Sequence, residues 1–145
     1  MSAENVELIR SLQVDPDVDV AALVKDDAAS GRLRDVLERL FHPSVECTMR
    51  FPGMARVAYS GLDGLHDAWR DWMKHWASYR HEIEEVIDGG ESVVVLHRSV
   101  ARPRAGTPEV TRRRATVWTV RDRRVASVDF NVPPAEALAA VRISG

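Results

Sequence analysis

The chain has 145 residues, 45% of them hydrophobic and 29% charged, which fits one domain over residues 1–145 and excludes a disordered chain. It has no apolar run near the ~20 residues of a membrane span and its first residues lack the order of a secretory signal, so we expect a cytoplasmic protein without membrane contact. The net charge of −2 divides into −8 over residues 1–96 and +6 over residues 97–145, but the basic residues alternate along predicted strands and include no lysine, which argues against nucleic-acid binding.

The first third of the chain predicts helices. Val6, Ile9 and Leu12 recur at helical spacing, and Asp15-Pro16 ends this first helix. A second helical stretch begins at Val20 and continues to His42-Pro43. Gly31, inside this stretch, either bends one helix or divides it into two.

The hydrophobic period then changes from helical spacing to two. Val45, Cys47 and Met49 alternate with polar residues as far as Phe51, which predicts a half-buried strand. We interpret Cys47 as a buried apolar residue, because a single thiol can form no internal disulfide. Pro52-Gly53 predicts a turn, and residues 56–59 can return antiparallel to the first strand.

The segment Tyr59 to Trp76 predicts a helix that covers the sheet. Gly61 and Gly64 suit the turn before it, and Asp63 is a candidate N-cap. One wide apolar stripe contains Leu65, Ala68, Trp69, Trp72, Met73 and Trp76. Three indoles on one stripe predict that the helix roofs a large apolar space, whereas the alternative is that they are ordinary core residues.

The rest of the chain predicts strands joined by tight turns, followed by a short helix after Pro133-Pro134. The predicted strands are Tyr79–Ile87, Ser92–Arg102, Glu109–Val120 and Val125–Asn131. Residues 93–96 are uniformly apolar, so both faces of the sheet should be covered there. The element order predicts an α+β fold, in which a strongly curved antiparallel sheet carries the N-terminal helices and one central helix on its concave face and encloses a conical pocket.

Several segments, in this order and spacing, resemble the SnoaL-like branch of the nuclear-transport-factor-2-like superfamily. They are SAENVELIRSL, LFHPSVE, YSGLDGLHDAWRDW, IDGGESVVVLHR and VWTVRDRRVASVDF. The resemblance implies a cone-shaped α+β barrel, a pocket between sheet and helices, and a homodimer formed through the outer sheet face. It implies no single activity, because relatives include polyketide cyclases, ketosteroid isomerases, limonene-epoxide hydrolases and scytalone dehydratase.

Asp129 is the first candidate for catalysis, because the resemblance places the acid/base of SnoaL-like cyclases in the final strand. Strand alternation opposes this role, since Ala126, Val128 and Phe130 form the apolar face and direct Asp129 to the other side unless a bulge intervenes. The alternative role for Asp129 is a salt bridge at the rim or interface of the domain.

Arg98 is the second candidate, because the epoxide-hydrolase pattern uses an arginine between two carboxylates. Val100 and Phe130 stand where those carboxylates would be expected, which opposes that reaction. We therefore consider Arg98 as a donor that polarises a substrate. The alternatives are an anionic ligand or a pair with Glu46 or Glu84.

His42 is the third candidate, because it ends a helix where the pocket mouth should form, while His97 is predicted to face the other way from Arg98, with Val93 and Val95. The histidines lack zinc-ligand spacing, so we expect neither a metal nor a cofactor. The residues expected to contact a ligand are Tyr59, Trp72, Trp76, Thr116, Trp118 and Phe130.

Our leading hypothesis is a SnoaL-like protein with a pocket for a small, largely apolar, ring-containing molecule. If it is an enzyme, the chemistry is proton transfer in an isomerisation, cyclisation or dehydration, with Asp129 or a histidine as base and Arg98 or Tyr59 as polarising donor. The alternative is a non-catalytic small-molecule-binding or protein-interaction module. A carboxylate or histidine inside the cavity favours the enzyme, and a lining of Trp, Val and Phe alone favours the binder.

Overall fold

The computed structural model describes residues 2–51, 55–104 and 108–144, which form five helices and one six-stranded sheet. The helices are α1 (Ser2–Ser11), α2 (Val20–Lys25), α3 (Asp27–Leu40), α4 (Gly61–Met73) and α5 (Pro134–Ser144). The strands are β1 (Phe41–Arg50), β2 (Arg56–Ser60), β3 (Trp76–Gly89), β4 (Ser92–Pro103), β5 (Val110–Arg121) and β6 (Arg124–Val132). The predicted turn at Pro52-Gly53 and residues 105–107 of the predicted loop lie outside the described residues.

The sheet is curved and open, with the strand order β2-β1-β6-β5-β4-β3. This architecture confirms the predicted α+β fold with helices packed on a curved sheet. The strands pair antiparallel except at one junction, because β1 and β6 lie parallel, with Cys47 opposite Val128. The prediction of a fully antiparallel sheet is therefore corrected at this junction. The parallel pairing joins the first and last strands of the chain at the centre of the sheet.

Alternation along each strand decides which side chains enter the main core. On β1 the side chains of Val45, Cys47 and Met49 are buried, as their spacing predicted. On β4 the buried side chains include Val93 and Val95 on the core face. The core fills the space between the concave face of the sheet and helices α1 to α4.

The outer face of the sheet has a smaller cluster of its own under α5. Val94, Ala115 and Val132 are buried there against Ala137 of the helix. Val94 lies between Val93 and Val95 of the main core, so both faces of β4 are covered. This arrangement confirms the prediction made from the uniformly apolar run.

The helical segments differ from the predictions in three details. The second helical stretch is interrupted at Asp26, and Gly31 lies inside α3. Helix α4 follows Ser60 as its N-cap residue, while Asp63 accepts a hydrogen bond at 2.5 Å from Arg34 and does not cap the helix. The predicted helix included Trp76, but α4 ends at Met73 and Trp76 is the first residue of β3.

In the described part of the chain, no helix is long and apolar enough to cross a membrane.

Candidate functional site

A cavity of about 130 Å³ lies between the concave face of the sheet and the first four helices. An engineered cavity of about 150 Å³ holds one benzene molecule, so this space suits one small ring. Its described lining residues are Leu12, Gln13, Val14, Val20, Leu23, Val24, Leu33, Met49, Trp69, Trp72, Met73, Tyr79, His81, His97, Thr116, Trp118, Phe130 and Asn131.

Aromatic side chains from α4 and from the sheet enclose this cavity on two sides. The Trp69 ring meets the Phe130 ring edge-on, with the ring centroids 6.1 Å apart. Trp118 meets Phe130 in the same way, also at 6.1 Å. Trp72 of α4 contacts Trp76, the first residue of β3, in a tilted arrangement with 5.6 Å between centroids. Edge-to-face packing of this kind fixes the rings relative to one another, so the apolar part of the cavity is preformed.

A chain of hydrogen-bonding side chains crosses the inner faces of β3, β4 and β5. The Tyr79 hydroxyl lies 2.9 Å from the Ser99 hydroxyl. Ser99 Oγ in turn is 3.5 Å from Nδ1 of His97, whose Nε2 lies 3.2 Å from Thr116 Oγ1. The wall of the cavity opposite the helices is therefore polar, whereas the helical wall is largely apolar.

Two histidines of this wall lie against each other. The rings of His81 and His97 have centroids 5.5 Å apart and are inclined by 40°. Burial is the main cause that lowers the pKa of His97 from 6.5 to about 4, with smaller contributions in the same direction from His81 and Arg114. Burial also lowers the pKa of His81. Both imidazoles are consequently neutral at pH 7 and can accept a proton.

His81 is the member of this pair with a ring nitrogen left without a partner. Its Nε2 is buried and makes no hydrogen bond within the described chain, and the same is true of Nε1 of Trp118. A buried polar group without a partner costs about 1–3 kcal/mol. A ligand with both a donor and an acceptor would remove this cost, so the wall is suited to a polar group on an otherwise apolar molecule.

A bulge in β6 brings Asn131 into the cavity. Ala115 pairs with Val132 and Val117 pairs with Asp129, so Phe130 and Asn131 together lie opposite Thr116 alone. Asn131 has φ of 58°, a left-handed conformation that asparagine tolerates better than most residues. Its amide donates to the Met49 sulfur at 3.1 Å, and Phe130 and Asn131 both line the cavity.

A second, smaller chamber adjoins the cavity beside the first residues of β5. It has a volume of about 10 Å³, close to that of one water-sized group. Trp72, Tyr79 and Asn131 line both spaces. The other described residues of the chamber are Trp76, Ser99, Ala101, Val110, Arg112 and Arg114. The polar wall thus leads from the two histidines toward two arginines.

The structure places Asp129 on the other face of the sheet, away from the cavity lining. Its carboxylate accepts a hydrogen bond from Thr48 at 2.5 Å. Arg50 and Arg56 approach the same carboxylate at 3.9 and 3.7 Å, and Arg50 also pairs with Glu136 of α5. The bulge that could have turned Asp129 inward occurs after it, so the side chain lies on the face that strand alternation indicated and forms the salt bridges of the alternative role. That Asp129 acts as a base stays a prediction.

Arg98, His42 and Tyr59 are also absent from the described lining of the cavity. Arg98 is exposed on the outer face and pairs with Glu82 at 3.1 Å, and not with Glu46 or Glu84. Neighbouring residues of a strand point to opposite faces, and His97 points into the cavity. Arg98, the predicted polarising donor, therefore points away from it.

His42 is exposed, with Nδ1 2.9 Å from the Ser44 hydroxyl. The Tyr59 hydroxyl donates to Asp71 of α4 at 2.9 Å. Burial and this carboxylate raise the pKa of Tyr59 to about 12. Neither residue belongs to the described lining of the cavity, so their predicted roles at a ligand stay predictions without support from this geometry.

The other predicted ligand contacts lie in or beside the cavity. Trp72, Thr116, Trp118 and Phe130 line it, and Trp76 lines the smaller chamber. That they contact a ligand remains a prediction. Sequence reasoning missed His81 and Asn131. The available signal for His81 was its position two residues after Tyr79 on one strand face, whereas Asn131 depends on the bulge.

Among residues 2–51, 55–104 and 108–144, no group of three or more His, Cys, Asp or Glu side chains could hold a metal ion.

Comparison with solved structures identifies proteins of the same fold. A candidate SnoaL-like polyketide cyclase from Jannaschia sp. CCS1 is 19% identical, with a TM-score of 0.66 over 88% of this chain and 83% of its own. A protein of unknown function from Burkholderia pseudomallei, described as nuclear-transport-factor-2-like, is 20% identical, with a TM-score of 0.64 over 95% and 97% of the two chains. TerC, co-crystallised with polyporic acid, is 19% identical, with a TM-score of 0.63 over the same shares.

Among curated proteins none matches this sequence. The sequence profile of the SnoaL-like domain matches residues 20–128, which is most of the chain. This match agrees with the curved sheet and with the similar structures, which at this identity establish the fold alone. The chain therefore belongs to the SnoaL-like domain family.

Proposed function

We propose that the cavity binds a small, largely apolar, ring-containing molecule and that His81 transfers a proton on it, in an isomerisation, cyclisation or dehydration. The observation that carries this proposal is the unpartnered, buried Nε2 of His81 in the wall of a cavity with room for one ring. The co-crystallisation of TerC with polyporic acid supports a ligand site in this fold.

The chemistry follows from the protonation states of the polar wall. A neutral imidazole of His81 takes a proton from the carbon next to a ring carbonyl, which leaves an imidazolium and an enolate. The hydrogen-bonded chain of Tyr79, Ser99 and His97 offers hydroxyl groups that can donate to the enolate oxygen. The imidazolium returns the proton to the same or another carbon. Because the depressed pKa weakens the base, the apolar surroundings must also hold the ring carbon close to it.

The test measures exchange of the protons next to the carbonyl of cyclohexanone in deuterium oxide, followed by proton NMR. Wild type should accelerate exchange above the buffer rate, and His81→Gln should lose about 100-fold of that acceleration, the lower end of general-base effects. His42→Gln makes the same substitution at an exposed ring and should exchange at the wild-type rate. Equal rates for the wild type and His81→Gln would remove this residue from the mechanism.

A non-catalytic binding module is the second candidate, favoured by one feature of the site. The described residues that line the cavity include no carboxylate. Quenching of the tryptophan fluorescence by cyclohexanone reports binding separately from exchange, because Trp69, Trp72 and Trp118 line the cavity. Saturable quenching without any enzyme-dependent exchange would establish the binder and reject the proton-transfer enzyme.

We propose separately that two copies of the chain associate through the outer sheet face, in the cytoplasm. Leu96 and Val117 support this, since they are only partly buried beside the cluster under α5 and extend an apolar surface past the helix. Sedimentation at micromolar concentration should show a dimer. A monomer throughout that range would reject the assembly.

A further inference from the structure

The smaller chamber gathers positive charge at one end of the polar wall. Arg112 and Arg114 are half-buried and line it together with Trp76 and Tyr79. They lie two residues apart on one face of β5, which separates their backbones by about 7 Å. Within the described chain, no carboxylate comes within 4.0 Å of either guanidinium. The same holds for Arg80, Arg102, Arg121 and Arg124, but these are exposed to solvent, whereas Arg112 and Arg114 are half-buried. The remaining four arginines of the strands have acidic partners. Those pairs are Arg98 with Glu82, Arg113 with Glu84, and Arg50 and Arg56 with Asp129.

The local environment makes this missing counter-charge expensive. Burial lowers the pKa of Arg112, and the charge of Arg114 lowers it further, while the Tyr79 hydroxyl acts in the opposite direction. Arg114 donates to the backbone carbonyl of Arg113 at 2.9 Å, which satisfies a donor but supplies no negative charge. Two like charges that share a partly desolvated chamber repel each other, so an anion placed between them would be favoured.

The third group of the chamber also offers a donor. Nε1 of Trp76 is buried and has no acceptor among the described residues. An indole N–H can only donate, as can a guanidinium. The described residues that line the chamber therefore include Trp76, Arg112 and Arg114, whose side chains can only donate, together with the hydroxyls of Tyr79 and Ser99 and the amide of Asn131. They include no carboxylate, so the two positive charges favour an anion.

We infer that this chamber is a carboxylate subsite, and that the ring-containing ligand of the cavity is a monocyclic carboxylic acid. The inference rests on the proposed function, because the two spaces share Trp72, Tyr79 and Asn131 and would hold two parts of one molecule. A carboxylate oxygen forms strong, charge-assisted hydrogen bonds with guanidinium donors. The chamber has room for about one water-sized group, so it admits one carboxylate oxygen, while the rest of the carboxylate and the ring lie in the larger cavity.

The experiment compares benzoate with benzamide, which have the same ring and differ in charge. Binding of each is measured at pH 7 from tryptophan fluorescence and by calorimetry, in the wild type and in four variants of one strand. Wild type should bind benzoate at least about 10-fold more tightly than benzamide, as expected for a charge-assisted pair. Arg112→Met and Arg114→Met should each remove most of this preference while leaving benzamide binding in place.

Arg113→Met is the matched control, since Arg113 neighbours both residues but points to the outer face and pairs with Glu84. It should retain the full preference for benzoate. Arg114→Lys keeps the charge and should retain part of it, which separates the loss of charge from a change in the fold.

Equal affinity of the wild type for the two probes, or a preference that survives both Met variants, would overturn the carboxylate subsite alone. Failure of both probes to bind would overturn the ring-binding cavity and this inference with it.

Discussion

The buried ring of His97 predicts a pH dependence of stability that its replacement should remove. The side chain is 8% exposed, and burial is the main reason that its pKa falls from 6.5 to about 4. Between these values the unfolded chain binds a proton and the native protein does not. Stability therefore rises with pH across this window. It is complete above about pH 6.5 and is lost as the pH falls toward 4.

The magnitude follows from the size of the pKa change. At about 1.4 kcal/mol per pH unit, the full effect is roughly 3 kcal/mol, and about 2 kcal/mol of it is lost between pH 7 and pH 4.5. His97→Gln cannot titrate, so its free energy of unfolding should fall by about 2 kcal/mol less over the same interval. The variant also loses the contact of His97 with Thr116, but that loss is nearly the same at each pH and does not affect the comparison of slopes.

The assay is guanidinium denaturation at half-unit steps from pH 4.5 to pH 7, with wild type, His97→Gln and His42→Gln. The last variant removes an exposed ring and should keep the slope of the wild type. His81 remains in all three proteins, so its own lowered pKa contributes equally. Parallel curves for wild type and His97→Gln would show that the native protein tolerates a charged ring at this position, and would refute the argument from burial.

Three further substitutions test particular positions. Gly31→Ala should raise the melting temperature by about 2–4 °C, because a Cβ there meets nothing within 4 Å inside α3 and alanine favours a helix by roughly 0.5–1 kcal/mol. The Asn131→Val variant should have a free energy of unfolding about 1 kcal/mol or more below that of Asn131→Gly in chemical denaturation, because φ is 58° and a β-branched residue is strained there. Asp129→Asn should cost about 1 kcal/mol through its ion pairs and leave proton exchange within roughly twofold of wild type, and a large loss of exchange would restore Asp129 as the base.

The helices and strands could be predicted because they depend on local features of the sequence. The period of two in β1 and the turns between the later strands identify their elements directly. The break at Asp26 was missed because Gly31 is a stronger local signal, although α3 passes through it. The parallel pairing of β1 with β6 was missed because it joins segments far apart in the sequence.

The face that a residue occupies was harder to predict than its secondary structure. On β4 the residues before Arg98 are apolar on both faces, so their alternation does not indicate which face points inward, and only packing against α1 or α5 decides this. The inward residue is His97, and its partner His81 lies on the neighbouring strand. In β6, alternation correctly opposed Asp129, but the bulge that admits Asn131 arises from pairing with β5. The candidate site is therefore assembled by register, which a single sequence does not encode locally.

The parallel junction at the centre of the sheet also affects how the chain assembles during translation. Thr48 and its partner Asp129 are 81 residues apart in sequence. At about 5–20 residues per second, the ribosome needs roughly 4–16 s to synthesise this interval. During that time β1 can pair only with β2, and its other edge stays open to pairing with another chain. Chaperone binding to the nascent chain should therefore be strongest before the last strand emerges.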